Sequence, residues 1–207
     1  MIDMSEGALW TRARLVALVL LAAAVVGSAV VLTWGASGAA GVNDPWTSLR
    51  RPLHLPKLAA GANCPLSRVD PRVAWKRTHI FGGSGIGRGP VYPALPSAFF
   101  MASRDQQYGG RWFGSKVFWY VLPSYRGPAL IRGRRLDGAQ VMGFNGRKRP
   151  ARELRIKPNQ SVSWQGQPRG SRGVPSDLRV LKPGCYGLQI DGTSFSRFVV
   201  ISVDTAN

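Results

Sequence analysis

The chain has 207 residues, with 28 Lys and Arg against 10 Asp and Glu, a net charge of +18, two histidines and two cysteines. With His54 and His79 isolated and no clustered carboxylates, a zinc or other transition-metal site is not expected, and nothing in the sequence calls for a cofactor. No helix-turn-helix, zinc finger or aromatic stacking motif is present, so sequence-specific nucleic-acid recognition is not expected either.

In chain order, the first element is an apolar run. Leu15 to Thr33 contains no charged or strongly polar side chain, and its nineteen residues match the roughly 20 needed to cross a hydrocarbon core of about 30 Å. Arg12 and Arg14 stand immediately before it, and the next cations, Arg50 and Arg51, come well after its end. The positive-inside tendency therefore keeps residues 1–14 in the cytoplasm, makes 15–34 a transmembrane helix or signal anchor, and exports the rest of the chain. Trp10 and Trp34 bracket the span where interfacial aromatics belong. The rival reading is a cleaved signal peptide, because Ala36-Ser37-Gly38 and Gly38-Ala39-Ala40 offer small residues at cleavage offsets. The run is longer than the usual signal core of about 7–15 residues, which favours an uncleaved anchor over a secreted product.

Residues 35–62 are rich in Gly, Ala and Pro and read as a linker with local order, in which Trp46, Leu49, Leu53 and Leu55 can pack. Residues 63–207 are the size of one domain. From Arg72 onward short β-like runs alternate with Gly and Pro. Strands are predicted at 72–78, 98–102, 116–122, 129–134, 140–144, 153–156, 161–164, 178–181, 185–190 and 197–203. That spacing predicts an all-β fold, an antiparallel β-sandwich of Ig-like but variant topology. Asp191-Gly192 predicts a tight hairpin between the last two strands, and Asn145-Gly146 a second one.

In an oxidising compartment Cys64 and Cys185 are expected to form a disulfide, the alternative being two buried free thiols. By alternation Cys185 lies on the face opposite Tyr186, Leu188 and Ile190, so the bond should clip the N-terminal segment onto the sheet's outside instead of crossing the core. The segments Arg126–Gly138 and Pro183–Ser196, with Asn63-Cys64-Pro65 and Gly89–Pro93, resemble a group of uncharacterised bacterial exported proteins. They carry an N-terminal signal or anchor, a Cys-Pro element and a Gly-Cys-Tyr…Asp-Gly-Thr-Ser-Phe ending. The resemblance implies an exported, disulfide-linked β domain and no particular chemistry.

Catalytic residues are not expected. Ser194, His79 and Asp191 fall in no nucleophile motif. The Gly-rich stretch Gly82–Gly89 matches no phosphate loop, lacks a following helix and reads as a flexible surface loop. Trp112, Phe113, Phe118, Trp119 and Tyr120 read as core and sheet residues.

The charge is the remaining signal. All but two basic and two acidic residues fall after residue 34, so the exported part carries the whole surplus. It is densest between Arg126 and Lys157, where Arg126, Arg132, Arg134, Arg135, Arg147, Lys148, Arg149, Arg152, Arg155 and Lys157 face only Asp137 and Glu153. Such a concentration attracts polyanions. The expected function is a non-enzymatic, membrane-anchored, extracytoplasmic module of the cell envelope, its basic face turned to anionic lipid headgroups or cell-wall polymers. The alternative is a secreted protein that binds a small ligand or a protein partner.

Overall fold

The computed structural model describes residues 44–59, 61–80, 83–104, 110–146 and 148–206. The apolar run 15–33 and the segment before it lie outside the described residues. Among the described residues no helix is long and apolar enough to cross a membrane.

Ten strands carry the fold: β1 (Ser84–Gly85), β2 (Val91–Leu95), β3 (Phe99–Ser103), β4 (Phe113–Val121), β5 (Ala129–Arg135), β6 (Gly143–Phe144), β7 (Leu154–Ile156), β8 (Arg172–Val180), β9 (Gly184–Gly192) and β10 (Ser196–Ala206). Their pairing runs in a closed circuit. β4 pairs with β8 along its whole length, and β8 pairs with β6. Val141, just before β6, bridges to Arg134 of β5. β5 pairs with β9, β9 with β10 and β10 with β3. One residue pair, Ser103 with Gly114, joins β3 back to β4. β1 and β2 extend the edge of β4, and β7 extends that of β5. Closure leaves few unpaired edges for other chains to join.

The all-β architecture is thus as expected, but the sheet is mixed. β3 and β10 run parallel, Phe99 beside Ser202 through Ser103 beside Ala206. Turn signals report only neighbours joined by short loops, whereas a parallel pair needs a long connection. Here residues 104–195 supply it.

Alternation builds the core. Tyr186, Leu188 and Ile190 of β9, Val199, Ile201 and Val203 of β10, and Val117, Trp119 and Val121 of β4 all enter one apolar cluster. Each such fully buried side chain contributes about 1.5–3 kcal/mol. The indole Nε1 of Trp119 donates to Ser176 Oγ at 2.8 Å, which satisfies its one polar atom.

Other local expectations are corrected. Residues 72–78 are not a strand: Asp70 accepts from the Arg72 N–H, Pro71 starts a 3-10 turn at Pro71–Val73, and a helical turn follows at Trp75–Thr78. Residues 161–164 make no ladder, although Val162 N–H donates to Gly173 O. β2 escapes prediction because Pro93 lies inside it. The Pro93 carbonyl accepts from Ile86, so the missing N–H faces short β1 and the ladder to β4 is intact. The described part of the Gly-rich stretch is not a loose loop, since Ser84 and Gly85 pair with Leu95 and Ala94 and Ile86 bridges to Val69. Asn145 and Gly146 do adopt the positive φ of a turn (47° and 66°), with Phe144 and Ala151 bridged across it.

The last two strands do form the expected hairpin, but its turn is not at Asp191-Gly192, for a chemical reason. Asp191 pairs with Ser196 across the ladder, and the chain turns through Thr193–Phe195 instead. The fully buried Asp191 carboxylate accepts from Arg132 at 2.7 Å, from Ser196 Oγ at 2.6 Å and from Gln189 Nε2. Those partners hold it in the strand.

Residues 46–58 form a strap over the outer face of β5 and β9. Trp46 and Leu49 pack with Leu130, and Leu55 and Leu58 with Leu136, Cys185 and Val200; Leu53 stays exposed. Gln189 fastens the strap by accepting from His54 N–H at 2.7 Å and donating to Pro52 O at 3.0 Å. The Cys64–Cys185 disulfide lies on this outer face, with its Cα atoms 5.5 Å apart, and clips the strap's end to β9.

Candidate functional site

The ten basic residues of the Arg126–Lys157 stretch have unequal surroundings. Arg132 is largely buried against Asp191 and also donates to Arg51 O. Arg135 turns back onto Asp137 at 2.7 Å, which holds the Asp137 carboxyl below the ordinary range. Arg155 and Arg50 share Glu153, and both reach Asp44. Arg134 is half-buried, and Arg147 lies outside the described residues. That leaves Arg126, Lys148, Arg149, Arg152 and Lys157 as exposed cations, of which Arg126 donates to Gly170 O.

Two further arginines outside that stretch are structural. Arg172 is 6% exposed and donates to the carbonyls of Lys157, Pro158 and Gly127, while desolvation pulls its pKa down. Arg179 is fully buried and donates to Gly146 O.

A second cationic region sits elsewhere. A cleft of about 1290 Å³ is walled by residues 67–72, by residues 87–90 and by the start of β10, with Leu122 beside them. Four arginines line it: Arg68, Arg72, Arg88 and Arg197. Among the described residues Asp70 is its one carboxylate.

Local chemistry shapes the walls. Ser67 exchanges hydrogen bonds with Val200, its N–H donating to Val200 O and its Oγ accepting from Val200 N–H, both at 2.9 Å. Gly87 donates to Arg68 O at 2.8 Å, which ties two walls together. Gly87 has φ of 91°, and a Cβ there would stand 2.6 Å from the Val199 side chain. A Cβ on Gly89 would meet the Tyr92 hydroxyl at 2.1 Å, so only glycine fits this approach.

At the floor, Arg72 donates through Nε and Nη2 to the two oxygens of Asp70 at 3.0 and 2.7 Å, and Tyr92 donates its hydroxyl at 2.8 Å. The Arg72 bonds, as the main cause, hold the Asp70 carboxyl down at about 2. Burial, with the carboxylate beside it, pushes the Tyr92 phenol up to about 12. Arg72 is therefore committed to Asp70. Arg68, Arg88 and Arg197 are exposed, and among the described residues none of them is in an ion pair. Phe198 and Val69, both partly exposed, are apolar elements of the rim.

Sequence reading missed this cleft because its arginines come from three separated segments and form no run. The Gly-rich stretch was the available signal, its glycines marking close backbone approach. Among the described residues no group of three or more His, Cys, Asp or Glu gathers as a metal site. Comparison with protein-family models, with curated proteins and with solved structures finds no match to this chain.

Proposed function

We propose that this protein is a single-pass, N-in membrane protein displaying a non-enzymatic β module outside the cytoplasmic membrane, where its cations contact anionic envelope surfaces. In this reading the apolar run Leu15–Thr33 forms the anchor, and the paired circuit of strands counts as a variant of the sandwich architecture. The resemblance to exported bacterial proteins and the Cys64–Cys185 bond support the compartment.

One observation carries the binding role. After the internal ion pairs are made, the module still presents cations outside any ion pair among the described residues, with Arg68, Arg88 and Arg197 gathered in one cleft. Exposed charges of one sign raise the local concentration of polyanions and act over about 8 Å at physiological ionic strength. The test uses the full-length protein in nanodiscs of neutral lipid, mixed with anionic vesicles or isolated wall polymer. Binding should be clear at 0.01 M salt and fall steeply by 0.15 M, as the screening length drops from about 30 to about 8 Å. Absence of binding at 0.01 M overturns the reading.

The secreted alternative rests on the small residues at 36–40. The intact mass of the native protein separates the two, since cleavage there removes the whole apolar run.

A further inference from the structure

Resting on the reading of the module as an anion binder, we infer that the cleft between residues 67–72, residues 87–90 and β10 is a site for a linear polyanion. The ligand has an uncharged, non-aromatic backbone carrying phosphate or carboxylate groups at intervals, as in a polyol phosphate or a polyuronate. Arg68, Arg88 and Arg197 hold its oxyanions.

Three features lead there. First, the guanidinium fork is the side chain best matched to planar or tetrahedral oxyanions, and three of them, free of ion pairs among the described residues, line one concavity. Among the described residues the one carboxylate lining the cleft, Asp70, is already neutralised by Arg72 and hydrogen-bonded by Tyr92, so it does not compete for the three. Second, the cleft's volume of about 1290 Å³ exceeds the roughly 300–1,000 Å³ of ordinary small-molecule pockets. A single anion would leave it mostly water-filled, whereas a chain of spaced anions can reach all three arginines. Third, among the described residues the walls do not offer the successive exposed aromatics on which nucleic-acid bases stack. Tyr92 is fully buried and tied to Asp70, and Phe198 is a single aromatic on the rim. That favours a sugar or polyol backbone over a single-stranded nucleic acid.

The cleft is also built to hold its shape. The Arg72–Asp70–Tyr92 group fixes the floor, and the glycine contacts at Gly87 and Gly89 set the distance between walls. Phosphate or carboxylate groups therefore meet arginines whose backbone positions are already set, which limits the ordering cost of binding.

The experiment titrates the full-length protein in neutral nanodiscs with poly(glycerol phosphate), with polygalacturonate and with an oligothymidylate, at one low salt concentration. The wild type is compared with Arg88→Gln/Arg197→Gln and with Arg149→Gln/Arg152→Gln, two variants with the same change in net charge. Thermal melts check folding, and the single variant Arg68→Gln provides a second probe of the cleft. The cleft pair should weaken binding about tenfold more than the control pair, a difference of roughly 1.4 kcal/mol. Arg68→Gln should weaken it in the same direction. Whichever of the two acidic polymers binds tighter identifies the oxyanion. Equal losses in both pairs would overturn the cleft while leaving general electrostatic binding intact, and no binding by the wild type would remove that reading as well. Tighter cleft-dependent binding of oligothymidylate would overturn the assigned backbone. Inorganic phosphate competing as well as the polymer, at equal phosphate concentration, would overturn the linear ligand.

Discussion

Beneath the strap over β5 and β9, and in the cleft at the start of β10, the same side chain meets opposite surroundings. Under the strap, Arg132 reaches a fully buried carboxylate, and Arg51 turns onto the carbonyls of Phe195 and Gly192 within 3.9 Å of that same Asp191. These arginines hold strands and strap together and have little left for a ligand. In the cleft, Arg72 is committed in the same way, but Arg68, Arg88 and Arg197 face open solvent without ion pairs among the described residues. A net charge of +18 therefore says little about which cations are available. Availability is decided by where the few carboxylates fold, and among the described residues Asp44, Asp70, Asp137, Glu153 and Asp191 have folded onto arginines other than these three.

The largest effect should come from the bond that fastens the strap. Replacing both Cys64 and Cys185 with Ser frees a 121-residue separation, which loop-closure entropy rates at about 4–5 kcal/mol. For a domain of this size that is a fall of about 10–20 °C in Tm, measurable by scanning calorimetry. An unchanged Tm would mean that the strap's packing alone keeps it in place.

Asp191→Ala should come next. It leaves Arg132 largely buried without its carboxylate, and removing one partner of a buried pair costs about 3–5 kcal/mol. Denaturant unfolding reads this directly, and a loss below about 1 kcal/mol would place Asp191 among ordinary surface ion pairs.

These two effects show what was legible in the sequence. The strap's apolar anchors, the strand alternation and the outward-facing Cys185 followed from residue type and period, because each depends on neighbours within a few positions. Asp191 did not follow: next to glycine it reads as a turn, and only the pairing of β5 beside β9 brings Arg132 to it. β2 was hidden by Pro93 and the cleft by distance in sequence, since Arg68, Arg88 and Arg197 converge only after Val69 bridges Ile86 and Gly87 packs on Val199. The dense basic stretch was plain to see, yet Arg132, Arg135 and Arg155 within it are paired.

Changing pH should act on the cleft's floor in both directions. Asp70 is held at about 2, below its ordinary 3.8, so its contribution is complete above about pH 4 and disappears as pH falls through about 2. Tyr92 in the floor, and Tyr186 in the main core away from it, are both pushed up to about 12 by burial, so their contribution is complete below pH 10 and disappears as pH rises through about 12. Asp70→Asn should make the acid limb of a stability profile shallower, with Asp137 and Glu153 keeping their share, and Tyr92→Phe should do the same to the alkaline limb, where Tyr186 keeps its share. Unchanged limbs would separate the floor from the stability of the fold.

The smallest effect should come from the free arginines. Arg68→Gln, Arg88→Gln and Arg197→Gln should each shift stability by no more than about 0.5 kcal/mol, as exposed side chains outside any structural network do. Losses comparable with that of Asp191→Ala would make them structural too and erase the contrast.

The contrast itself can be read in one measurement on the native protein. Arginine-selective modification with phenylglyoxal, followed by peptide mapping over time, ranks guanidinium groups by access. Arg68, Arg88 and Arg197 should react early, whereas Arg132, Arg172 and Arg179 should stay unmodified until the protein is unfolded. Equal rates across the two sets, or early loss of Arg132, would contradict the division between arginines that build the fold and arginines that face a ligand.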